Sequence, residues 1–125
     1  MDHGMDTIYR DYILDLYHNP KNKKKIENAD YTAHKNNPTC GDEIMIYVKV
    51  DNEKIVDVGF DGVGCAISQA SASLFMEYIK GKNIDEVKQM TDDEVKGLLG
   101  IDVGINREKC VLLIFRTFQN AIEHG

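Results

Sequence analysis

Cysteine is scarce and odd in number: three residues in a chain of 125. Such a count cannot close a disulfide framework, and it suits a reducing compartment where thiols bind metal or react. Basic residues are also in deficit, 15 against 21 acidic ones, for a formal net charge of -6. That balance excludes bulk electrostatic attraction to nucleic acid, which needs a basic footprint. The one basic run, "PKNKKK" at residues 20–25, reads as a solvated loop rather than a docking patch for an acidic partner. No apolar stretch approaches the roughly 20 residues that span a bilayer. The opening "MDHGMDTIYRDY" is too acidic and too poor in apolar residues for a signal peptide. The chain is therefore expected to be cytoplasmic, with no membrane and no nucleic-acid partner. It also lacks an internal repeat, a linker and a low-complexity segment, so one domain over residues 1–125 is expected.

What is present is ordinary for a globular protein: 42% hydrophobic and 29% charged residues. A chain of this length buries roughly two thirds of its unfolded surface, so metal is not required merely for folding. "TIYRDYILDLY" at residues 7–17 puts Ile8, Tyr12, Ile13 and Leu16 on one helical face, and Pro20 stops that helix. "EIMIYVKV" alternates Ile44, Ile46, Val48 and Val50 with Met45, Tyr47 and Lys49. "DNEK" then turns the chain into "IVDVGF", with Val56, Val58 and Phe60 at period two. A weaker strand is expected at Tyr31–Lys35. A helix of about 15 residues follows Cys65 and is closed by Gly81. Asn83 with Glu86 and Thr91 with Glu94 have capping-box spacing and mark two short helices. The last helix is expected from about Asn106, with Val111, Ile114, Phe118, Ala121 and Ile122 as its core stripe. This order predicts an α+β fold, a small antiparallel sheet with helices packed on one face.

The three cysteines have similar addresses. Cys40 lies in the Pro/Gly turn of "NNPTCGD", Cys65 in "GVGC" just before a helix, and Cys110 in the first turn of the last helix. A helix N-terminus favours thiolate through its dipole and unpaired N–H groups, and Arg107 and Lys109 add positive charge beside Cys110. Each cysteine taken singly has a plainer explanation: buried thiols are common core residues, and Cys110 adjoins "VLLIF". Their joint placement at element termini is what points to a site. Zinc takes four tetrahedral ligands and iron–sulfur clusters take thiolates with an occasional substitute. Asp42, two residues from Cys40, is the candidate fourth ligand. His3, His18, His34 and His124 are weaker candidates, better explained as solvent-facing or capping residues. A site of Cys40, Asp42, Cys65 and Cys110 is the result.

The same segments carry a family resemblance. "YRDYILDLYHNPKN", "NNPTCGD", "GVGCAISQASAS" and "REKC" together resemble the IscU/SufU/NifU N-terminal group of iron–sulfur cluster assembly scaffolds over nearly the whole chain. The resemblance implies a fold of that type and a site of Cys40, Asp42, Cys65 and Cys110. It further implies sulfur received from a cysteine desulfurase and a transient Fe–S cluster, of the two-iron two-sulfide kind, or a zinc ion. Apo Fe–S acceptor proteins are the implied recipients. The motifs are closest to the SufU type, but the SufU insertion between the second and third cysteines is absent. IscU proteins have a histidine before the third cysteine, where this chain has Lys109, and "GIDVGIN" does not match their Leu-Pro-Pro-Val-Lys chaperone-recognition segment.

Two functions follow from this site. In the first the chain is a scaffold, on which thiolates collect iron and sulfide while the carboxylate corner keeps the product transferable. In the second it is a zinc-dependent sulfurtransferase partner of a SufS-type desulfurase, in which one cysteine is freed to attack the persulfide sulfur. Cys110 is the candidate acceptor, with Arg107 and Lys109 stabilising its thiolate. Whether the chain counts as an enzyme differs between the two. A purely structural zinc domain is disfavoured, because such sites are normally closed by four Cys or His ligands.

Overall fold

Strand β2 (Asp42–Asp51) sets the frame, because its alternation is nearly strict. Ile44, Ile46 and Val48 are fully buried, while Met45 is exposed and Tyr47 half-buried. The computed structural model describes residues 3–37, 41–100 and 108–124. In chain order these form helix α1 (His3–His18), strand β1 (Tyr31–Asn37), β2 and β3 (Lys54–Val63). The helices α2 (Ala66–Ile79), α3 (Ile84–Lys88), α4 (Asp92–Leu99) and α5 (Glu108–His124) follow. The three strands make one antiparallel sheet in the order β1-β2-β3. Asn52 and Glu53, with φ of 52° and 65°, turn β2 into β3; positive φ at both central residues matches the right-handed strand twist.

The expected strand pair is present, but its second half differs at one residue. Ile55 is buried and Val56 is 50% exposed, although Val58 and Phe60 are buried. The ladder pairs Lys49 with Asp57 but Val50 with Ile55, so Val56 is the extra residue of a β-bulge. A bulge inserts one residue and reverses the facing of everything before it, hence the break in period two.

Helices cover the buried face of the sheet only. Phe75 of α2 sits edge-on to Phe115 and Phe118 of α5, with ring centroids 5.7 Å apart in each pair, and these rings meet Ile44, Ile46, Val58 and Phe60 in one core. In α5, Val111, Ile114, Phe118 and Ala121 are buried as the stripe predicts, with Ile122 half-buried. Small residues let α2 approach its neighbours closely. Ala70 and Val111 receive Ile13 and Leu16 of α1, and the buried Ser71 hydroxyl donates to the Val111 carbonyl at 2.6 Å. Tyr12 departs from the predicted α1 face and is 44% exposed. Ile8 belongs to the part of α1 whose side chains lie outside the described residues.

The Asn19–Lys25 segment is held rather than free. The Lys21 N–H donates to Ser73 Oγ at 3.2 Å, Asn22 Nδ2 to Glu77 at 2.9 Å, and the Phe60 N–H to the Asn22 carbonyl at 3.0 Å. Its backbone thus lies along the outer edge of β3, while Lys23 and Lys25 keep exposed surface. Among the described residues no helix is long and apolar enough to cross a membrane.

Candidate metal centre

Three elements end at one place. Asp42 opens β2, Cys65 caps α2, and Cys110 lies in the first described turn of α5. One ligand atom from each falls within 4.8 Å of the other two. A tetrahedral ion with bonds of about 2.0–2.3 Å holds its ligand atoms roughly 3.3–3.8 Å apart, so a small contraction would close these donors on one ion. Two sulfurs and a carboxylate oxygen also suit a cluster iron.

Asp42 is 1% exposed, which is unusual for a carboxylate and has a specific cause. Its Oδ1 accepts the backbone N–H of Cys65 at 2.8 Å, and its Oδ2 lies 4.0 Å from Cys65 Sγ. The carboxylate therefore satisfies one of the N–H groups that a helix start leaves unpaired, and it occupies the positive end of α2. Cys65 does for α2 what serine or aspartate usually does: its Sγ accepts the Ser68 N–H at 3.4 Å. Lys109 is exposed, and the Cys110 side chain is buried.

Gly64 keeps the space for this arrangement. A Cβ on Gly64 would stand 2.5 Å from Asp42 Oδ1, closer than van der Waals contact allows. Gly62 has φ of +139° and faces the Glu43 backbone, a conformation open essentially to glycine alone. Both glycines are visible in the sequence as "DGVG", but that they make room for a carboxylate needs the fold.

Of the predicted site residues, Asp42, Cys65 and Cys110 are brought together, and Lys109 directly precedes Cys110 in sequence. Cys40 and Arg107 lie outside the described residues. His34 pairs with Glu43 at 2.7 Å and is exposed, and His18 is exposed on α1. Two buried polar atoms in the first turn of α2, Ser68 Oγ and Gln69 Nε2, have no hydrogen-bond partner among the described residues; the sequence held no signal for either.

Residues 8–124 match the family described as the NifU-like N terminal domain. The chain is similar to the zinc-dependent sulfurtransferase SufU of Bacillus subtilis, 35% identical over 136 positions covering 95% of this chain and 92% of that one. It is 40% identical over 102 positions to the iron–sulfur cluster assembly scaffold protein IscU 1 of Archaeoglobus fulgidus, covering 82% of this chain and 65% of the relative. The SufU alignment is longer than the stretch of this chain it covers, so that relative has residues this chain lacks. Among solved structures, SufU of Fervidobacterium islandicum superposes with a TM-score of 0.75 at 33% identity, over 89% of this chain and 93% of that one.

Proposed function

The chain belongs to the NifU-like N-terminal domain family, and from that premise we propose that it is an iron–sulfur cluster assembly protein. It accepts sulfur from a cysteine desulfurase and carries a transient Fe–S cluster, as substrate, on Cys40, Asp42, Cys65 and Cys110. The observation that carries this reading is the approach of the Asp42, Cys65 and Cys110 ligand atoms to within 4.8 Å. Cys40 enters as the fourth ligand through its sequence place, two residues from Asp42.

The chemistry follows from the side chains. A Cys110 thiolate attacks the outer sulfur of a donor persulfide. The donor's S–S bond breaks, its cysteine leaves as thiolate, and a new S–S bond remains on Cys110. A reductant must then supply two electrons per sulfur to make sulfide. Lys109 and Arg107 are the cations proposed to favour the thiolate. Because Cys110 is 1% exposed, transfer requires the start of α5 to open locally. Asp42 is the weakest ligand toward iron, since oxygen is a poorer partner than sulfur there, and it is the corner an acceptor protein would displace. One domain in a reducing compartment such as the cytoplasm is consistent with this work.

A second reading has its own support in the 35% identity to a zinc-dependent sulfurtransferase along 92% of that protein. There Zn²⁺ is held by the same residues and no cluster forms. Anaerobic protein supplied with iron, cysteine and a desulfurase decides between them. Growth of visible charge-transfer absorption on this chain, followed by transfer to an apo-ferredoxin, is expected. Stimulation of the desulfurase by zinc-loaded protein with no cluster would overturn the scaffold reading in favour of the second.

A further inference from the structure

Beside the metal centre lies a groove of about 390 Å³ lined by Lys35, Asn36, Asn37, Lys109, Leu112, Leu113 and Arg116. Its walls follow from two periodicities. On β1, Tyr31, Ala33, Lys35 and Asn37 share the face toward α5. On α5, residues 109, 112, 113 and 116 form one stripe at helical spacing. Leu112 and Leu113 give the groove an apolar floor, and Lys35 and Lys109 flank it.

The direction of the groove is set by the fold. Asn37 is the register partner of Asp42, and Lys109 precedes Cys110, so one end abuts the metal ligands. The stripe from Lys109 to Arg116 is about 10 Å long at 1.5 Å per helical residue, which an extended peptide covers in about three residues. Arg116 is already bound to Asp92 through two hydrogen bonds of 2.9 and 2.6 Å. Lys35 and Lys109 make no ion pair among the described residues. Unpaired surface lysines are ordinary; two that converge on an apolar-floored groove ending at a metal site, in a chain of net charge -6, are not. Asn37 adds a buried amide, 8% exposed, whose Nδ2 has no acceptor among the described residues.

We propose that this groove docks an extended acidic segment of a partner protein, with its carboxylates at Lys35 and Lys109 and an apolar side chain on Leu112 and Leu113. The segment's next residues would then lie over the metal centre. The inference deepens the proposed function and rests on it for the identity of the partner as sulfur donor or cluster acceptor; the groove's own chemistry does not.

The test uses the full, zinc-loaded chain and a blocked pentapeptide alternating glutamate with leucine, followed by NMR. Saturable shifts at residues 35–37 and 109–116 are expected, with affinity weakening as salt rises. Lys35→Glu should weaken binding at least tenfold while zinc uptake is unchanged, and Lys35→Gln should give an intermediate loss. Equal binding of the glutamine–leucine peptide, or shifts confined to the Lys21–Lys25 face, would overturn the proposal. So would N-acetylleucinate binding as tightly as the peptide, which marks a small-carboxylate pocket, or self-association that Lys35→Glu abolishes, which marks a second copy. Peptide binding by a chain that takes up neither zinc nor cluster would refute the proposed function and leave the groove standing. Normal loading without peptide binding would do the reverse.

Discussion

Asp42 and Cys65, 23 residues apart in sequence, are joined by a 2.8 Å hydrogen bond from the Cys65 backbone N–H to the Asp42 carboxylate. One residue of the candidate centre is thus positioned by the backbone of another. The carboxylate has two tasks, closing the start of α2 and offering an oxygen to metal, and substitutions can separate them.

Asp42→Ala removes both. Loss of the acceptor leaves a partly buried N–H unpaired, at about 1 kcal/mol, and thermal unfolding should show it. The variant should still assemble a cluster but pass it to an apo-ferredoxin more slowly. Asp42→Asn keeps an acceptor oxygen and should recover most of the stability without recovering the transfer rate. Unchanged transfer and unchanged zinc affinity in both variants would reduce Asp42 to a capping residue.

Gly64→Ala should act on the same carboxylate from outside the ligand set. Its methyl group would need the space held by Asp42 Oδ1, 2.5 Å away, and would push the side chain off the Cys65 N–H. Zinc affinity measured against a competing chelator is expected to fall by about tenfold, the lower end for disturbing a ligand's orienting contacts. Retained affinity would show that the carboxylate has room to move.

Lys109→Ala separates charge from ligation. An ammonium has no lone pair for a metal, so metal stoichiometry should be unchanged while sulfur transfer to Cys110 slows. Cys110→Ser should abolish that transfer. Persulfide appearing instead on Cys65, detected by mass spectrometry, would move the acceptor role to the more exposed thiol.

Much of this was readable in the sequence, for identifiable reasons. The Thr91–Glu94 capping box is present with both of its hydrogen bonds, because it depends on four consecutive residues. At Asn83 only half of that motif formed, with its side chain accepting the Asp85 N–H. The α5 stripe was legible because a long helix repeats its period several times. The exchange of Val56 for Ile55 was not, since a bulge leaves no mark in composition. Cys65 and Cys110 could be selected by their helix-start positions, whereas the Asp42–Cys65 bond links segments that only folding brings together. Lys35 looked like the polar end of a weak strand and Asn37 like part of the "NNPTCGD" turn, and only the extension of β1 to Asn37 and the packing of α5 beside it make them walls of a groove.

Phe75 tests the core that holds the centre in place. Fully enclosed between Phe115 and Phe118, it should cost about 3–5 kcal/mol when replaced by Ala. Because α2 and α5 each carry a cysteine, zinc affinity should fall with stability. Chemical denaturation of the apo and zinc-loaded variant measures both.

Acid should weaken one surface link in a predictable order. The Arg116 hydrogen bonds hold the Asp92 carboxyl below its ordinary value of 3.8, against a smaller opposing effect of burial. Stability from this pair is therefore present above pH 3.8 and is lost as pH falls through the lower folded value. The contribution is small, at most about 1 kcal/mol for an exposed pair. Asp92→Asn should flatten the acid limb of the stability profile below pH 4 and leave zinc binding at pH 7 unchanged.

The Asn19–Lys25 segment has a consequence for assembly. By giving its Asn22 carbonyl to the Phe60 N–H, it occupies part of the outer rim of β3. The opposite end of that strand is bonded to Lys82 and Gly81. Between and beyond these contacts the N–H groups of Val58 and Gly62 donate to the side chains of the residues before them, Asp57 and Asp61, at 2.9 and 2.8 Å. A strand from another molecule would find several donors of that rim already engaged, which makes β3 a poor template for edge-to-edge pairing.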